Sequence, residues 1–335
     1  MSSLTFEFNN FKTDINITRR ELIDFTLPKL IIADTNTSSL ISGGVDLVLP
    51  PGEPAKHWQS VDQILEIALN KGLTRDSIIM GVGGGVITDM TAFAASLYMR
   101  GCGLTLVPTT LLAMVDAAFG GKTGIDYHTY KNLVGTFYPA QNLIICVDFL
   151  LSLPDHEFKN GLAEVIKTAM LGDGELLDLL ENKREDILER DLDLLEQVVV
   201  RCLRVKGHYV TQDLKEGGIR AQLNLGHTFG HALESLSGLS ALSHGEGVAW
   251  GMRQALQVGV SMGVTNPEYA GRINSLLDAY SFDTTTTYSK EELLAYMEKD
   301  KKKQAGKLRF ILQKDLMDTQ ILTIEREKLL ELWSL

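Results

Sequence analysis

The chain has 335 residues, of which 44% are hydrophobic and 22% charged, a balance that fits an ordinary globular protein of two domains or one large one. A formal charge of −11 disfavours a general nucleic-acid or acidic-membrane surface, and no apolar run approaches the roughly 20 residues of a bilayer span. Three scattered cysteines, Cys102, Cys146 and Cys202, show no CxxC spacing, and no basic-then-apolar segment opens the chain, so the expectation is a reducing, cytoplasmic location without a disulfide framework.

Up to residue 155, short aliphatic runs alternate with amphipathic stretches. Residues 30–33 and 45–49 read as strands, and 58–69 as a helix with Val61, Ile64, Leu65, Ile67 and Ala68 at helical spacing. A strand at 77–80, a glycine turn, a helix at 90–99 and strands at 104–107 and 143–147 follow. That rhythm predicts a largely parallel sheet with helices on its faces. From residue 157 helical patterns take over: a solvated pair across 175–210, then 247–262, 267–279 and 291–299. A late strand at 308–312 and a last helix at 326–333 close the chain. The change of texture at residues 152–155 divides the chain into 1–155 and 156–335. No internal repeat or low-complexity tract interrupts either part.

Gly81, Gly83, Gly84 and Gly85 follow a strand and open a helix, a junction that aims backbone N–H groups and the positive helix end at an anion. The spacing is not GxGxxG, and a tight strand–helix turn without a ligand is the plainer reading of the loop alone. A second loop at 50–56 offers Glu53 and Lys56 to ribose hydroxyls or an amide, or is a surface turn. Between residues 100 and 132 come Arg100, Thr109, Thr110, Asp116, Lys122 beside Gly120 and Gly121, and Lys131 with Asn132. Lysines flanked by glycines suit phosphate and carboxylate recognition, although loops are rich in both residues anyway. Lys167, Lys206, Arg220 and the run at 300–303 add cations, a pattern suited to a multiply charged small acid.

Three of the seven histidines, His227, His231 and His244, fall within eighteen residues. His227 and His231 share one helix face, and such a pair with one carboxylate and an open position describes a catalytic metal site. Gly226 and Gly230, directly before them, would let backbone or ligand approach closely. The plainer alternative is a helix with two partly buried, hydrogen-bonded histidines.

In order and spacing these blocks resemble the 3-dehydroquinate synthase family over about residues 34–310: Gly83-Gly84-Gly85-Val86-Ile87, Arg100-Gly101, Pro108-Thr109-Thr110 through Asp116, Gly120-Gly121-Lys122-Thr123-Gly124, Lys131-Asn132, Gly161 through Lys167, Leu223 through Thr228, and Ser243-His244-Gly245-Glu246. The resemblance implies a Rossmann-like α/β N-terminal domain (1–155, NAD-binding) and a mainly α-helical C-terminal metal- and substrate-binding domain (156–335), with the site in the cleft between them and the chain usually a homodimer. It implies an NAD+- and Zn2+-dependent lyase (Co2+ also fitting) that turns 3-deoxy-D-arabino-heptulosonate 7-phosphate into 3-dehydroquinate and phosphate in the shikimate pathway. By the same match the metal ligands are Glu164, His227 and His244, with His231 handling protons beside them, which replaces the i, i+4 pair. Lys122, Asn132, Arg220, Asn224 and one of Lys301 or Lys302 would hold phosphate, with Arg100 reaching across from a partner subunit. Lys167, Lys206 and Glu216 complete the substrate set. Asp34, Asn36, Glu53, Lys56, Gly84, Gly85, Asp89, Thr109, Thr110, Asp116, Lys122 and Lys131 would meet the dinucleotide.

The chain departs from the family pattern at Thr88 and Ala92, where glycine is common, at Ala117-Ala118 for Ser-Ser, and at Asp126 for Asn. A carboxylate at 126 would repel a phosphate unless it points away. Three rivals follow: a related cyclase acting on a sugar phosphate without the carboxylate (2-epi-5-epi-valiolone synthase-like) or on glucose 6-phosphate (2-deoxy-scyllo-inosose synthase-like), a metal-dependent polyol dehydrogenase, and a catalytically dead binding protein.

Overall fold

The computed structural model describes residues 2–128, 130–238, 242–282, 285–301 and 308–334, the last three residues before the break at 302 by backbone alone. In chain order the elements are β1 (Ser2–Phe8), β2 (Phe11–Ile17), β3 (Leu30–Asp34), β4 (Leu47–Leu49), α1 (Trp58–Asn70), β5 (Ile78–Gly83), α2 (Gly85–Leu97) and β6 (Gly103–Pro108). Next come β7 (Ile125–Tyr127), β8 (Tyr130–Val134), β9 (Asn142–Ile145), α3 (Asp155–Gly172), α4 (Gly174–Asn182), α5 (Arg184–Leu188) and α6 (Leu192–Gln212). The chain ends with α7 (His227–Ser237), α8 (His244–Ser261), α9 (Pro267–Ala279), α10 (Lys290–Lys301), β10 (Arg309–Asp315), β11 (Asp318–Thr323) and α11 (Arg326–Leu332). Two compact units form: Met1–Phe158 with Arg190–Glu216, and Lys159–Glu189 with Gly217–Leu335.

The first unit is built on a seven-stranded sheet in the order β1-β2-β9-β6-β5-β3-β4. Only the β1–β2 pair is antiparallel. All five residues of β3 and all but the first of β5 and β6 are buried, which is why these strands read as unbroken apolar runs. The β1–β2 pair was not legible as strands because Glu7, Lys12, Asp14 and Asn16 alternate with the apolar residues, as one solvated face requires. Helix α6 belongs to this unit although it lies in the helical half of the sequence. It buries Leu195, Val198, Val199, Cys202, Leu203 and Val210, and its Gly207 comes so close to Phe6 that a built Cβ would lie 2.0 Å from the ring. The parallel strands β3, β4, β5 and β6 end at Asp34, Leu49, Gly83 and Pro108, so the loops after them share one sheet edge. That is the edge where open α/β sheets bind ligands.

The second unit is helical apart from the β10–β11 hairpin. Its central contact is between α7 and α8, which cross where glycine faces backbone. Gly226 caps α7 at φ +80°, and a Cβ built there would stand 2.9 Å from Val248 O. At Gly230 it would meet Gly247 O at 2.6 Å, and at Gly251 it would meet Gly226 O at 2.0 Å. The glycines before His227 and His231 thus admit a neighbouring helix. Phe229, Phe310, Trp250 and Trp333 pack beside the crossing, with neighbouring ring centroids 5.1 to 6.4 Å apart. Helix α8 starts three residues earlier than its apolar pattern predicts, because Ser243 and Glu246 form a capping box that makes His244 the first helical residue.

Replacing Gly251 by Ala should therefore force the two helices apart and lower stability by about 1–3 kcal/mol, the usual cost of overpacking, read as a lower midpoint in urea.

Candidate functional site

In the second unit Glu164 projects from α3, His227 opens α7 and His244 opens α8. One ligand atom from each lies within 4.8 Å of the others. The Nε2 atoms of His244 and His227 stand 3.1 and 3.6 Å from the same oxygen, Glu164 Oε1. Each ring is held from its far side: His227 Nδ1 lies 3.2 Å from Leu225 O, and His244 Nδ1 lies 3.2 Å from Glu234 Oε1. An acceptor at Nδ1 fixes the tautomer that leaves the Nε2 lone pair facing the carboxylate. Two imidazoles and one carboxylate leave a position open around a tetrahedral ion, so this donor set fits a catalytic divalent metal.

The electrostatics fit the same assignment. Glu164 is fully buried and pairs with Lys167 one turn along α3. Burial would raise its carboxyl, but Lys167 and the bond from His244 hold it well below the usual range. Burial and the nearby Lys167 charge keep His227 well below the usual histidine range, hence neutral and able to donate to a metal. At His244 burial is overcome by the bonds to Glu164 and Glu234, which push it up to about 10 without an ion. A metal would take the place of that shared proton.

His231 lies one turn along α7, exposed, its ring centroid 5.2 Å from that of His227 and 6.3 Å from that of His244. The i, i+4 pair does share a face, yet the trio at Glu164 is completed by His244. His231 falls in a second trio with Glu234 and His244. Arg220 is buried and Asn224 half-buried in the short turn Ile219–Asn224 that leads into α7. Lys301 and Lys302 lie outside the residues whose side chains are described.

In the first unit the loops at the C-terminal sheet edge collect most of the remaining predicted residues. Asp34 Oδ1 accepts from the N–H groups of Asn36 and Thr37, both at 2.9 Å, and so builds its own turn; Asn36 is exposed. Lys56 is buried and its Nζ stands 2.6 Å from Asp89 Oδ2 in the first turns of α2. Burial lowers Lys56, but Asp89 and Glu53 outweigh it and raise the ammonium. Burial raises Glu53 and Asp89 despite Lys56. Glu53 Oε2 is buried and, among the described residues, accepts no hydrogen bond. An acceptor of that kind, beside exposed Lys131, fits a ribose hydroxyl or an amide of a bound dinucleotide.

Gly84 and Gly85 lie at the α2 N-terminus with no side-chain cap, where a built Cβ would press on Thr110 at 3.1 Å and on Ala117 at 3.3 Å. Thr109 N–H bonds to Gly83 O, and Thr110 Oγ1 caps Ala113. Asp116 sits in a π-helical turn (Ala113–Ala117), where its carboxylate and carbonyl receive Lys206 Nζ at 2.5 and 2.6 Å. Lys122 is paired with Glu216. Arg100 stands apart: it is exposed, at φ +63°, in the turn before β6 and so at the opposite sheet edge.

The departures are accommodated. Asp126 is turned into the β7–β8 hairpin, where Oδ1 accepts the Asn132 N–H at 2.8 Å while its own N–H bonds to Lys56 O. Thr88 is buried and returns its hydroxyl to Gly85 O at 3.0 Å, and Ala92 is buried in α2. Two further residues join the site: Glu234, which the sequence places beside the histidines without a role, and Asn160, whose Oδ1 accepts the Gly245 N–H. Glu234 follows His227 and His231 on one helix face, a signal present in the sequence; Asn160 left none.

A metal-type donor trio on a helical unit and a ligand edge on an α/β unit are the two parts that a metal- and nucleotide-dependent enzyme requires. The structure is similar to 2-epi-5-epi-valiolone synthase from Streptomyces hygroscopicus subsp. jinggangensis, solved with NAD+ and Zn2+ bound: TM-score 0.88 and 26% identity over 99% of this chain and 97% of that one. It also matches the fold of 2-deoxy-scyllo-inosose synthase complexed with carbaglucose-6-phosphate, NAD+ and Co2+, with TM-score 0.83 and 22% identity over 98% of each chain. Residues 46–160 match the family model for the 3-dehydroquinate synthase N-terminal region and 161–303 that for the C-terminal region. The 3-dehydroquinate synthase of Dictyoglomus thermophilum is 40% identical over 282 residues, 84% of this chain and 79% of the relative. The chain belongs to the 3-dehydroquinate synthase family.

Replacing Lys56 by Met would leave the half-buried Asp89 and Glu53 carboxylates without their cation. A lower midpoint in urea unfolding is expected, by less than the roughly 3–5 kcal/mol of a fully buried ion pair.

Proposed function

We propose that this chain is a lyase that converts 3-deoxy-D-arabino-heptulosonate 7-phosphate into 3-dehydroquinate and phosphate, a step of the shikimate pathway. The observation that carries the reading is the convergence of Glu164, His227 and His244 in a chain of this family. When bound, NAD+ takes up and later returns a hydride, and a divalent cation, zinc or cobalt, polarises the substrate hydroxyl.

The chain's own residues do the rest. Glu164, His227 and His244 hold the ion, and Lys167 balances the buried carboxylate. His231, within one helical turn of His227 and exposed, takes the proton of the hydroxyl whose carbon is oxidised. Lys122, Asn132, Arg220 and Asn224 grip the phosphate, joined by Lys301 or Lys302. Lys122 is paired with Glu216, which belongs to the same substrate set. Lys206 and Lys167 serve the substrate carboxylate and hydroxyls. The loops carrying Asp34, Asn36, Glu53, Lys56, Asp89 and Lys131 receive the dinucleotide, with Gly84 and Gly85 admitting its pyrophosphate to the α2 N-terminus and Thr109, Thr110 and Asp116 beside them. Because Arg100 lies at the far sheet edge of its own chain, it serves the phosphate of a second copy in a cytoplasmic homodimer. No helix among the described residues is long and apolar enough to cross a membrane.

Incubation with the heptulosonate phosphate, catalytic NAD+ and zinc should release phosphate and dehydroquinate one for one, with no net NADH. Accumulating NADH would favour a polyol dehydrogenase, and turnover only of a substrate without the carboxylate would favour the valiolone-type cyclases. His227→Ala should lose bound zinc and turnover together while circular dichroism is unchanged. Lys122→Ala, stripped of a charge-assisted contact of about 1.5–3 kcal/mol, should weaken substrate binding roughly 10- to 100-fold.

A further inference from the structure

Glu234 is a carboxylate in the interior of the second unit, 8% exposed, on the face of α7 that also carries His227 and His231. A buried carboxylate is costly unless something cationic or hydrogen-bonding meets it. Among the described residues, the one group that Glu234 bonds is His244, whose Nδ1 lies 3.2 Å from Glu234 Oε1. Space for the carboxylate is made on the opposite helix: a Cβ built at Gly247 would lie 2.7 Å from Glu234 Oε1 and 2.9 Å from its Cγ. The glycine that opens this space sits one turn after His244 on α8, so a side chain at 247 would press on the carboxylate that meets the ring.

His227 and His244 are therefore supported unequally. A neutral carbonyl, Leu225 O, stands behind the first and a carboxylate behind the second. A carboxylate behind an imidazole locks its orientation and makes the opposite nitrogen a stronger donor. Glu234 also forms, with His231 and His244, a second group at metal-ligating distances. A cation there would need the His244 nitrogen that already bonds Glu234.

Resting on the assignment of Glu164, His227 and His244 as metal ligands, we propose that Glu234 is a positioning residue that orients His244 toward the metal and sets its affinity, and that the His231–Glu234–His244 group is not a second cation site.

The test is zinc titration of the metal-free full chain by calorimetry, with the visible absorption spectrum of the cobalt form as a second readout, for wild type, Glu234→Ala, Glu234→Gln and His227→Ala. The expected results are one ion per chain in wild type and affinity about 10- to 100-fold weaker in Glu234→Ala. Glu234→Gln, which keeps an acceptor but not the charge, should fall between them with an altered cobalt spectrum. Wild-type affinity and spectrum in both Glu234 variants would overturn the proposal. So would a second ion in wild type that disappears in Glu234→Ala, since Glu234 would then be a ligand. His227→Ala separates the two readings: if it too binds zinc like wild type, the metal assignment itself has failed, whereas loss there with none in the Glu234 variants sinks only the positioning role.

Discussion

The second unit depends on keeping one carboxylate charged where no water reaches it. Glu164 is fully buried on α3, and an isolated ion there would cost far more than any single contact returns. Lys167 on the same helix and imidazoles from two others surround it. Those partners arrive from separate helices, so the centre exists only when α7 and α8 pack closely. That packing in turn needs the backbone-to-backbone contacts at Gly226, Gly230, Gly247 and Gly251. The local chemistry of the ligands and the global crossing of the helices are thus one constraint.

The first unit solves a different problem with similar means. Its central parallel strands β3, β5 and β6 are buried on both faces and end on one edge, where the chain turns into loops that have no core to fill. Charges gather there in compensating sets: Lys56 with Asp89 and Glu53, Lys206 with Asp116, Lys122 with Glu216. Asp126 shows how local this compensation is. Its carboxylate accepts the N–H of Asn132, the residue next to Lys131 in the same hairpin.

Elements buried on two faces were the most legible in the sequence, because a run such as Leu30 to Ala33 has no solvated partner to interrupt it. Strands exposed on one face or on both, β1, β2, β7, β8 and β11, left patterns too polar to separate from loops. The start of α8 was read late because its capping signal, Ser243 with Glu246, lies outside the apolar periodicity. The histidine cluster was visible as spacing, yet spacing on one helix favoured the pair His227 and His231. That Glu164, 63 positions before His227, meets His244 is a tertiary fact that periodicity does not encode; the likeness to a known family brought Glu164 forward and made His244, already visible in the cluster, its partner ligand. Glu234 stands beside the histidines in the sequence without a role, because a glutamate on an amphipathic helix ordinarily faces water.

The route of the chain between its two units has a consequence for dissecting the protein. The polypeptide leaves the first unit after Phe158, returns at Arg190 to lay down α6, and leaves again after Glu216. A single cut therefore releases neither unit whole. A fragment ending near residue 155 would present the surface around Phe6 that Gly207 normally covers, and the complementary fragment would carry an orphaned helix whose leucines and valines have lost their sheet. Each half of this molecule is completed by sequence that belongs, by position, to the other.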